Sequence, residues 1–199
     1  WRMTLMKAGS MIANCPIQKE STLPTNFVAV NSLVGLKRVD KILNFFALCR
    51  KYNPSAILRI LGDGPLREEM EAMAKALGIA SHVIFNGQVD NVGDYYRQAD
   101  VFLLASESEG TPNVILEAMS HGKVIISSRV GEVSYLLKGG EYGLLVDFDN
   151  VQELENICIR LSTDWQELKN MGLKAYDQIQ EHHSYTHLYN NIKSIYEGL

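Results

Sequence analysis

Two glutamates, Glu109 and Glu117, are the acidic side chains of this 199-residue sequence whose spacing could support chemistry. They bracket the start of a predicted helix, with Glu109 just before it and Glu117 about one and a half turns inside. A helical wheel places Glu117 on a polar face, opposite an apolar face that contains Ile115 and Met119. Because such polar faces are usually only solvated, spacing alone leaves open whether the pair is surface charge or part of a site.

The beginning of that helix has no built-in negative charge. We predict Thr111 as the N-cap, Pro112 as the first helical residue and Gly122 as the residue that ends the helix. Residues 112–114 contain no carboxylate. The positive end of the helix is therefore predicted to accept phosphate or other electron-rich oxygens of a ligand.

Six short apolar segments separated by longer segments predict the elements that position these residues. The strands are predicted at residues 27–31, 56–61, 82–86, 101–104, 124–127 and 143–146. Helices are predicted between the strands and after the last one, and the final two of these helices cover residues 165–171 and 173–181. Right-handed crossovers then give an α/β fold, a Rossmann-like doubly wound parallel sheet of about six strands. Ligands of such sheets bind outside the carboxyl ends of the strands, so the loops holding Lys37 and Glu109 should meet in one pocket.

Composition narrows the class of protein. A length of 199 residues with 46% hydrophobic side chains supports one sizeable core, and a net charge of −4 argues against a general nucleic-acid or anionic-membrane binder. The three cysteines are far apart and lack CxxC spacing, which indicates neither a disulfide framework nor a zinc site. No apolar run is long enough for a membrane span and no signal peptide is visible, so we expect a cytoplasmic chain.

The run at residues 109–119, Glu-Gly-Thr-Pro-Asn-Val-Ile-Leu-Glu-Ala-Met, resembles the signature of retaining glycosyltransferases of the two-domain GT-B fold, family 4 (glycosyl transferases group 1). The resemblance implies the C-terminal, nucleotide-sugar-binding half of such an enzyme, without its N-terminal acceptor domain. It divides the chain into a linker or interdomain segment (1–26), a Rossmann-like donor-nucleotide-binding domain (27–182) and a C-terminal crossover helix (183–199).

The same resemblance implies a role for individual residues. Glu109 would orient the donor sugar, and Glu117 would hold the ribose hydroxyls. Lys37 would stabilise the diphosphate as negative charge develops on it, which makes Glu109 and Lys37 the candidate catalytic residues. Main-chain N–H groups at the start of the helix would contact sugar or phosphate oxygens, namely those around Gly110, Thr111, Asn113 and Val114.

Two loops carry the remaining donor-binding candidates. The family commonly has Gly-Arg-Leu after the first strand and then Lys-Gly, with both cations on the donor pyrophosphate. Here Lys37 matches the lysine, Ser32 stands where the arginine would be, and Arg38 is the candidate that could replace that arginine. Gln88 and Val89 stand in the place of the family's base-binding turn, for which a simple strand-to-loop turn is an equal alternative.

Other motifs favour structural roles. The run Gly-Asp-Gly-Pro at residues 62–65 has Arg67 where a dinucleotide fingerprint would have its third glycine, so NAD is disfavoured, and a tight turn and a ligand-facing loop stay equally open. Asp149 belongs to the Asp-Phe-Asp triplet and lies three residues before Gln152, which favours a helix cap over a metal site. We therefore predict no metal and no cofactor, with a nucleotide sugar as substrate.

These observations predict the donor-binding domain of a retaining, metal-independent hexosyltransferase, inactive without its N-terminal domain. The donor would be a nucleotide sugar, UDP-linked rather than GDP-linked, and the acceptor a glycan or lipid-linked molecule bound through the missing domain. Two alternatives stay open: a non-catalytic nucleotide-sugar-binding module and a Rossmann-like interaction domain. We expect no nucleic-acid partner and no membrane span in this segment, and a peripheral position at the inner membrane face through the missing domain is the alternative to a free cytoplasmic one.

Overall fold

The computed structural model describes residues 22–109 and 112–182. Its elements are β1 (Asn26–Val30), α1 (Val39–Tyr52), β2 (Ile57–Leu61), α2 (Arg67–Ala76), β3 (Val83–Gly87), α3 (Val92–Gln98), β4 (Val101–Leu104), α4 (Asn113–Ser120), β5 (Val124–Ser128), α5 (Val133–Leu136), β6 (Leu144–Val146), α6 (Val151–Thr163) and α7 (Trp165–His182). All six predicted strands are confirmed, each to within one residue at either end.

The six described strands form one sheet in the order β3-β2-β1-β4-β5-β6, and every neighbouring pair is parallel. The predicted Rossmann-like, doubly wound α/β fold is therefore confirmed. The chain leaves β1 toward β2 on one side and later returns to place β4 on the other side. The loops that follow β1 and β4 consequently lie next to each other at the carboxyl edge, which is where ligands bind in sheets of this type.

Apolar layers cover both faces of the sheet. Alternate strand residues point to opposite faces, so Phe27 packs in one buried cluster and its neighbour Val28 in the other. Phe46 of α1 closes the first layer with an edge-on contact to Phe27, and Met119 of α4 lies in the second. Every residue of β4 is buried, as expected for a parallel strand covered on both sides. This packing fixes the strand ends from which the site loops emerge.

The predicted start of the site helix is wrong by one residue. Pro112 has φ −80° and ψ 87°, so it lies outside the helix, and α4 begins at Asn113. The Pro112 carbonyl accepts the N–H of Ile115 at 2.9 Å, which makes this proline the N-cap residue. Thr111, the predicted N-cap, lies outside the described residues. At the other end, Gly122 has φ 62°, the left-handed conformation expected of a residue just past a helix end.

Two further local predictions near the C-terminal helices are wrong. The segments at 165–171 and 173–181 form one helix, α7, because Gly172 serves close packing instead of ending a helix. A Cβ on Gly172 would lie 2.7 Å from the carbonyl oxygen of Gly122. The cap of α6 is Asn150, whose Oδ1 accepts the N–H of Glu153 at 3.1 Å, whereas the Asp149 carboxylate pairs with Lys41 at 2.7 Å.

The predicted divisions at the ends of the chain stay predictions. The linker at 1–26 is described only over residues 22–26, of which Asn26 already belongs to β1. The predicted crossover helix at 183–199 lies outside the described residues. Within the described parts of the chain, no helix has the length and hydropathy needed to span a bilayer.

Two thiols meet between the helices that cover one face of the sheet. Cys49 of α1 and Cys158 of α6 are free and buried, with their Sγ atoms 2.8 Å apart. This separation is only about 0.8 Å longer than a disulfide bond. Burial raises the pKa of the Cys49 thiol well above its ordinary value, so the reactive thiolate is scarce in the folded chain.

We expect a slow intramolecular disulfide when the folded chain is incubated with excess oxidised glutathione. A thiolate attacks the added disulfide, the second cysteine displaces reduced glutathione, and the chain loses about 2 Da as two hydrogens leave. Mass spectrometry under denaturing conditions, followed by peptide mapping, would show a Cys49–Cys158 link. In a Cys15→Ser background, which removes the third thiol, Cys158→Ser should give only a mixed disulfide. A chain that keeps both Cys49 and Cys158 but stops at the mixed disulfide would contradict the expected link.

Candidate functional site

An ion pair lies between the ends of β1 and β4, where the order of the strands along the chain reverses direction across the sheet. We call this place the switch point. Lys37 ends a short 3-10 turn, Gly35–Lys37, after β1, and Glu109 lies in the loop after β4. Although these residues are 72 positions apart in sequence, Nζ of Lys37 lies 2.7 Å from Oε1 of Glu109. The structure therefore brings together the two side chains predicted to be catalytic.

The burial of this pair shapes what it can do. The side chain of Glu109 is 11% exposed and that of Lys37 is 27% exposed. A carboxylate this well buried needs a nearby cation, because an unpaired charge is costly away from water. The lysine ammonium has three N–H donors, so Lys37 can hold Glu109 and still donate to an anion arriving from the solvent side.

The Gly-Asp-Gly-Pro turn after β2 supports the loop that holds Lys37. The amide of Leu33 donates to the carbonyl of Asp63 at 3.0 Å. A Cβ on Gly62 would lie 2.1 Å from the carbonyl oxygen of Asn31, and one on Gly64 would lie 2.5 Å from that of Leu33. Both glycines thus allow two backbone segments to touch, which supports the tight-turn alternative for this motif.

Arg38 follows Lys37 and adopts an unusual backbone conformation. Its φ of 46° and ψ of 48° are left-handed, a region that favours glycine. Nε and Nη2 contact the two carboxylate oxygens of Asp40 at 3.0 and 2.9 Å, and Nη1 contacts Glu107. The hydrogen bonds from Arg38 hold the pKa of the Asp40 carboxyl below its ordinary value. The role of Arg38 in donor binding stays a prediction, and Ser32 is an exposed loop residue.

The beginning of α4 lies beside this pair in the chain. The helix begins at Asn113, one residue later than predicted, and its first turn still contains no carboxylate. The N–H groups of Asn113 and Val114 belong to this turn, where amides have no acceptor within the helix. Gly110 and Thr111 lie outside the described residues, so their predicted main-chain contacts stay predictions.

Glu117 lies inside α4 and is half-buried. Burial raises the pKa of its carboxyl above the ordinary 4.5, and a hydrogen bond from the hydroxyl of Tyr96 offsets part of that rise. The same hydroxyl lies 3.1 Å from the carbonyl oxygen of Val114, which places Tyr96 against the first turn of α4. Tyr96 therefore holds the pKa of the Glu117 carboxyl lower than burial alone would.

His121 completes this arrangement. Its ring stacks on Tyr96 with the centroids 5.2 Å apart, and Nδ1 lies 2.8 Å from the carbonyl oxygen of Glu117. A carbonyl oxygen can only accept, so this contact places a proton on Nδ1. Burial lowers the pKa of His121, which favours the neutral ring. Neither Tyr96 nor His121 was predicted from the sequence to be part of the site. His121 stands four positions after Glu117, a helical spacing that could have indicated it, whereas Tyr96 comes from α3 without such a signal.

Gln88 and Val89 occupy the turn after β3, two strands from β1. Gln88 is exposed, and Val89 packs on the apolar layer that contains Met119. The N–H of Gly62 donates to the carbonyl of Gly87 at 2.7 Å, which joins this turn to the loop after β2. Their predicted contact with a nucleobase is thus placed at the same sheet edge as Lys37 and stays a prediction.

Two polar residues at the carboxyl ends of the central strands were missed. Asn31 directly follows β1, and Ser106 lies two residues after β4. They are 5% and 1% exposed, and within the described parts of the chain neither the Asn31 amide nor the Ser106 hydroxyl has a hydrogen-bond partner. Buried polar groups normally have partners, so both side chains are candidate contacts for a bound ligand.

The acidic triplet at residues 147–149 has structural contacts. Asp149 pairs with Lys41 of α1, and the amide of Asp147 donates to the Glu153 carboxylate at 3.1 Å. Over residues 22–109 and 112–182, no group of three or more His, Cys, Asp or Glu side chains has an arrangement that could hold a metal ion. The expectation that no metal is needed stays a prediction.

Solved structures share this fold. A variant of TarM from S. aureus, in complex with fondaparinux, alpha-GlcNAc-glycerol and UDP, superposes with a TM-score of 0.76 at 17% identity, over 90% of this chain and 37% of that one. HepE from Anabaena in complex with UDP superposes with a TM-score of 0.76 at 21% identity, over 87% and 49%. The C-terminal domain of LpcC from Francisella tularensis gives 0.72 at 20% identity, over 82% and 89%. The fold is thus that of the GT-B class.

The chain belongs to the family of glycosyl transferases group 1, whose profile matches residues 16–178. It is 28% identical over 174 residues to the Vi polysaccharide biosynthesis protein VipC/TviE of Salmonella typhi, covering 86% of this chain and 30% of that protein. It is 29% identical over 169 residues to N-acetyl-alpha-D-glucosaminyl L-malate synthase of Bacillus anthracis, covering 85% and 44%. The chain thus spans less than half the length of these relatives.

Proposed function

We propose that this chain is the donor-binding domain of a retaining glycosyltransferase that moves a sugar from a UDP-sugar to a glycan or lipid-linked acceptor. The observation that carries the proposal is the ion pair between Lys37 and Glu109 at the switch point of the sheet. UDP in the TarM and HepE structures supports the choice of nucleotide. The acceptor would be bound by a part of the protein that these residues do not include.

The roles follow from the charges of the side chains. Breaking the bond between the sugar and its leaving oxygen develops negative charge on the diphosphate, and Lys37 would stabilise that charge. Glu109, fixed by the same lysine, would accept hydrogen bonds from the sugar hydroxyls. Glu117 would accept those of the ribose. The amides of Asn113 and Val114 would donate to sugar or phosphate oxygens, together with those of the preceding turn at Gly110 and Thr111.

Metal independence is part of this proposal. A divalent cation in a sugar-nucleotide site would neutralise the diphosphate. Here the Lys37 ammonium and the carboxylate-free start of α4 would supply positive charge in its place. Donor affinity should therefore be the same with excess EDTA as with added magnesium, and a requirement for the metal would contradict this part of the proposal.

Calorimetric titration of UDP, GDP and UDP-sugars into this chain tests the donor site. We expect saturable binding of UDP and weaker binding of GDP. Absence of saturable UDP binding at millimolar concentration would overturn the proposal, and tighter binding of GDP would reassign the nucleotide. Catalysis is tested in the whole protein: if sugar transfer were undiminished in Glu109→Gln, this site would be a binding module without a catalytic role.

UDP affinity is expected to fall as the pH drops through the raised pKa of Glu117. The ionised carboxylate accepts the ribose hydroxyls, so binding is strongest above that pKa and weakens below it, starting at a higher pH than an ordinary carboxyl would give. Tyr96→Phe removes the hydrogen bond that lowers this pKa, so the midpoint should move to higher pH. Calorimetry across a pH series measures both midpoints.

Two controls separate this effect from the titration of UDP itself. Glu117→Gln should remove the pH dependence that comes from the protein and leave only that of the nucleotide phosphate. Tyr142→Phe removes a tyrosine hydroxyl whose partner is Gln178, at 3.1 Å, and should leave the midpoint unchanged. An identical midpoint in wild type and Tyr96→Phe would show that Tyr96 does not tune Glu117.

A further inference from the structure

Three contacts join the loop after β1 to the loop after β4. The first is the ion pair between Lys37 and Glu109. The second is a backbone hydrogen bond from the amide of Glu107 to the carbonyl of Leu36 at 2.9 Å. The third is the contact of the Arg38 guanidinium with the Glu107 carboxylate. Leu36 and Arg38, the two neighbours of Lys37 in the sequence, are thus both held to the loop after β4.

The guanidinium of Arg38 already has carboxylate partners within the protein. Three of its five N–H donors face carboxylates, two in a fork with Asp40 and one toward Glu107. The cluster of Arg38, Asp40 and Glu107 combines one positive with two negative charges. Its net charge is therefore negative, which disfavours a direct contact between Arg38 and a diphosphate.

The backbone of Arg38 points to the same conclusion. A non-glycine residue in the left-handed region is unfavourable, and surrounding contacts must hold it there. Here the fork with Asp40 and the bond to Glu107 hold the side chain. The family pattern has glycine after the lysine, so this chain has a side chain where the pattern has none. The contacts of the Arg38 side chain with Asp40 and Glu107 therefore also hold the backbone of this loop in its left-handed conformation.

We propose that Arg38 is a positioning residue: through Glu107 it ties the β1–α1 loop to the β4–α4 loop and keeps Lys37 against Glu109. This inference rests on the proposed donor site at Lys37. It differs from direct donor binding in one testable respect. A positioning Arg38 acts only while Glu107 is present, whereas an Arg38 that binds phosphate becomes more available when Glu107 is removed.

A double-mutant cycle measured by UDP titration separates these two roles. Arg38→Gly suits the left-handed backbone, so it removes the guanidinium without straining the loop. In the wild-type background we expect UDP affinity to fall about threefold to fivefold, the scale of a partly exposed ion-pair network. In the Glu107→Gln background the same substitution should change affinity by less than about twofold. An undiminished or larger loss there would overturn the proposal and make Arg38 a donor ligand.

Amide hydrogen exchange tests the tether without any ligand. Glu107→Gln should speed exchange of the amides at Lys37 and at position 107 by about threefold or more, because the loops then separate more often. The control Glu167→Gln breaks a similar exposed pair with Arg160 at 3.2 Å, between α6 and α7, and should leave both amides unchanged. Unchanged exchange in Glu107→Gln would overturn the tether. If the wild-type chain binds no UDP, the proposed function fails, and the exchange result alone decides whether the tether exists.

Discussion

Replacing Lys37 with alanine is expected to lower the affinity of the chain for UDP by about 100-fold. The ammonium is the cation placed at the switch point, and a hydrogen bond to a charged group contributes roughly 1.5–3 kcal/mol. The substitution also leaves the Glu109 carboxylate, only 11% exposed, without its partner and close to the proposed position of the diphosphate. The loss of attraction and the gain of repulsion act in the same direction. Isothermal calorimetry with UDP measures the effect.

Lys41→Ala is the matched control for this experiment. Lys41 lies on α1 and makes an ion pair of the same length, 2.7 Å, with Asp149. The substitution Lys41→Ala removes an equal charge from the same part of the chain and leaves the ion pair of Glu109 intact. Its effect on UDP affinity should stay within about twofold. Comparable losses in both variants would show that net charge, and not contact with the diphosphate, governs binding.

The double variant of Lys37→Ala with Glu109→Gln separates the two causes. If the loss in Lys37→Ala comes only from the unpaired Glu109 carboxylate, the double variant should bind UDP as tightly as the single variant Glu109→Gln. If Lys37 contacts the diphosphate, most of the loss persists in the double variant. The second result is expected, and full restoration would contradict the role proposed for Lys37.

Much of the fold could be predicted because its signals are local. Short apolar runs such as Val101-Phe102-Leu103-Leu104 are typical of buried parallel strands, and β4 has those bounds. The parallel direction of the strands then places the loops with Lys37 and Glu109 at the carboxyl edge of the sheet. Their proximity therefore followed from topology before any side-chain contact was known.

The remaining features depend on contacts between distant segments. Gly172 has the local appearance of a helix end, yet it lies within α7 because the backbone at Gly122 approaches it. The contact between Tyr96 and the start of α4 joins two helices through tertiary packing. Arg38 was predicted as a donor contact, and the sequence could not show that Asp40 and Glu107 contact its guanidinium. Side-chain partners across the sheet edge were therefore the main gap in the predicted site.

Gly62→Ala is expected to destabilise the chain by at least about 3 kcal/mol, a fall in Tm of roughly 10 °C. Two costs combine at this position. The new Cβ would lie 2.1 Å from the carbonyl oxygen of Asn31, so backbone would have to move, and the φ of 116° is one that alanine rarely adopts. Thermal unfolding followed by circular dichroism measures the change.

Three other glycines separate the two costs. Gly64 has the close contact, 2.5 Å to the carbonyl oxygen of Leu33, without a positive φ, whereas Gly78 has φ 69° and nothing within 4 Å of a Cβ. Gly35 has neither feature. Alanine should therefore cost about 1 kcal/mol at Gly78, close to nothing at Gly35, and more at Gly64 than at Gly78.

The same series tests whether the turn after β2 supports the donor site. Alanine at Gly64 pushes on Leu33 in the loop that leads to Lys37, so UDP affinity should fall even at temperatures where the chain stays folded. Alanine at Gly78, beyond α2, should cost stability without changing UDP affinity. If both variants bound UDP like the wild type, the turn would stabilise the fold without setting the position of Lys37. A loss confined to Gly64→Ala would show that the Gly-Asp-Gly-Pro turn acts on the site through backbone contact with the loop after β1.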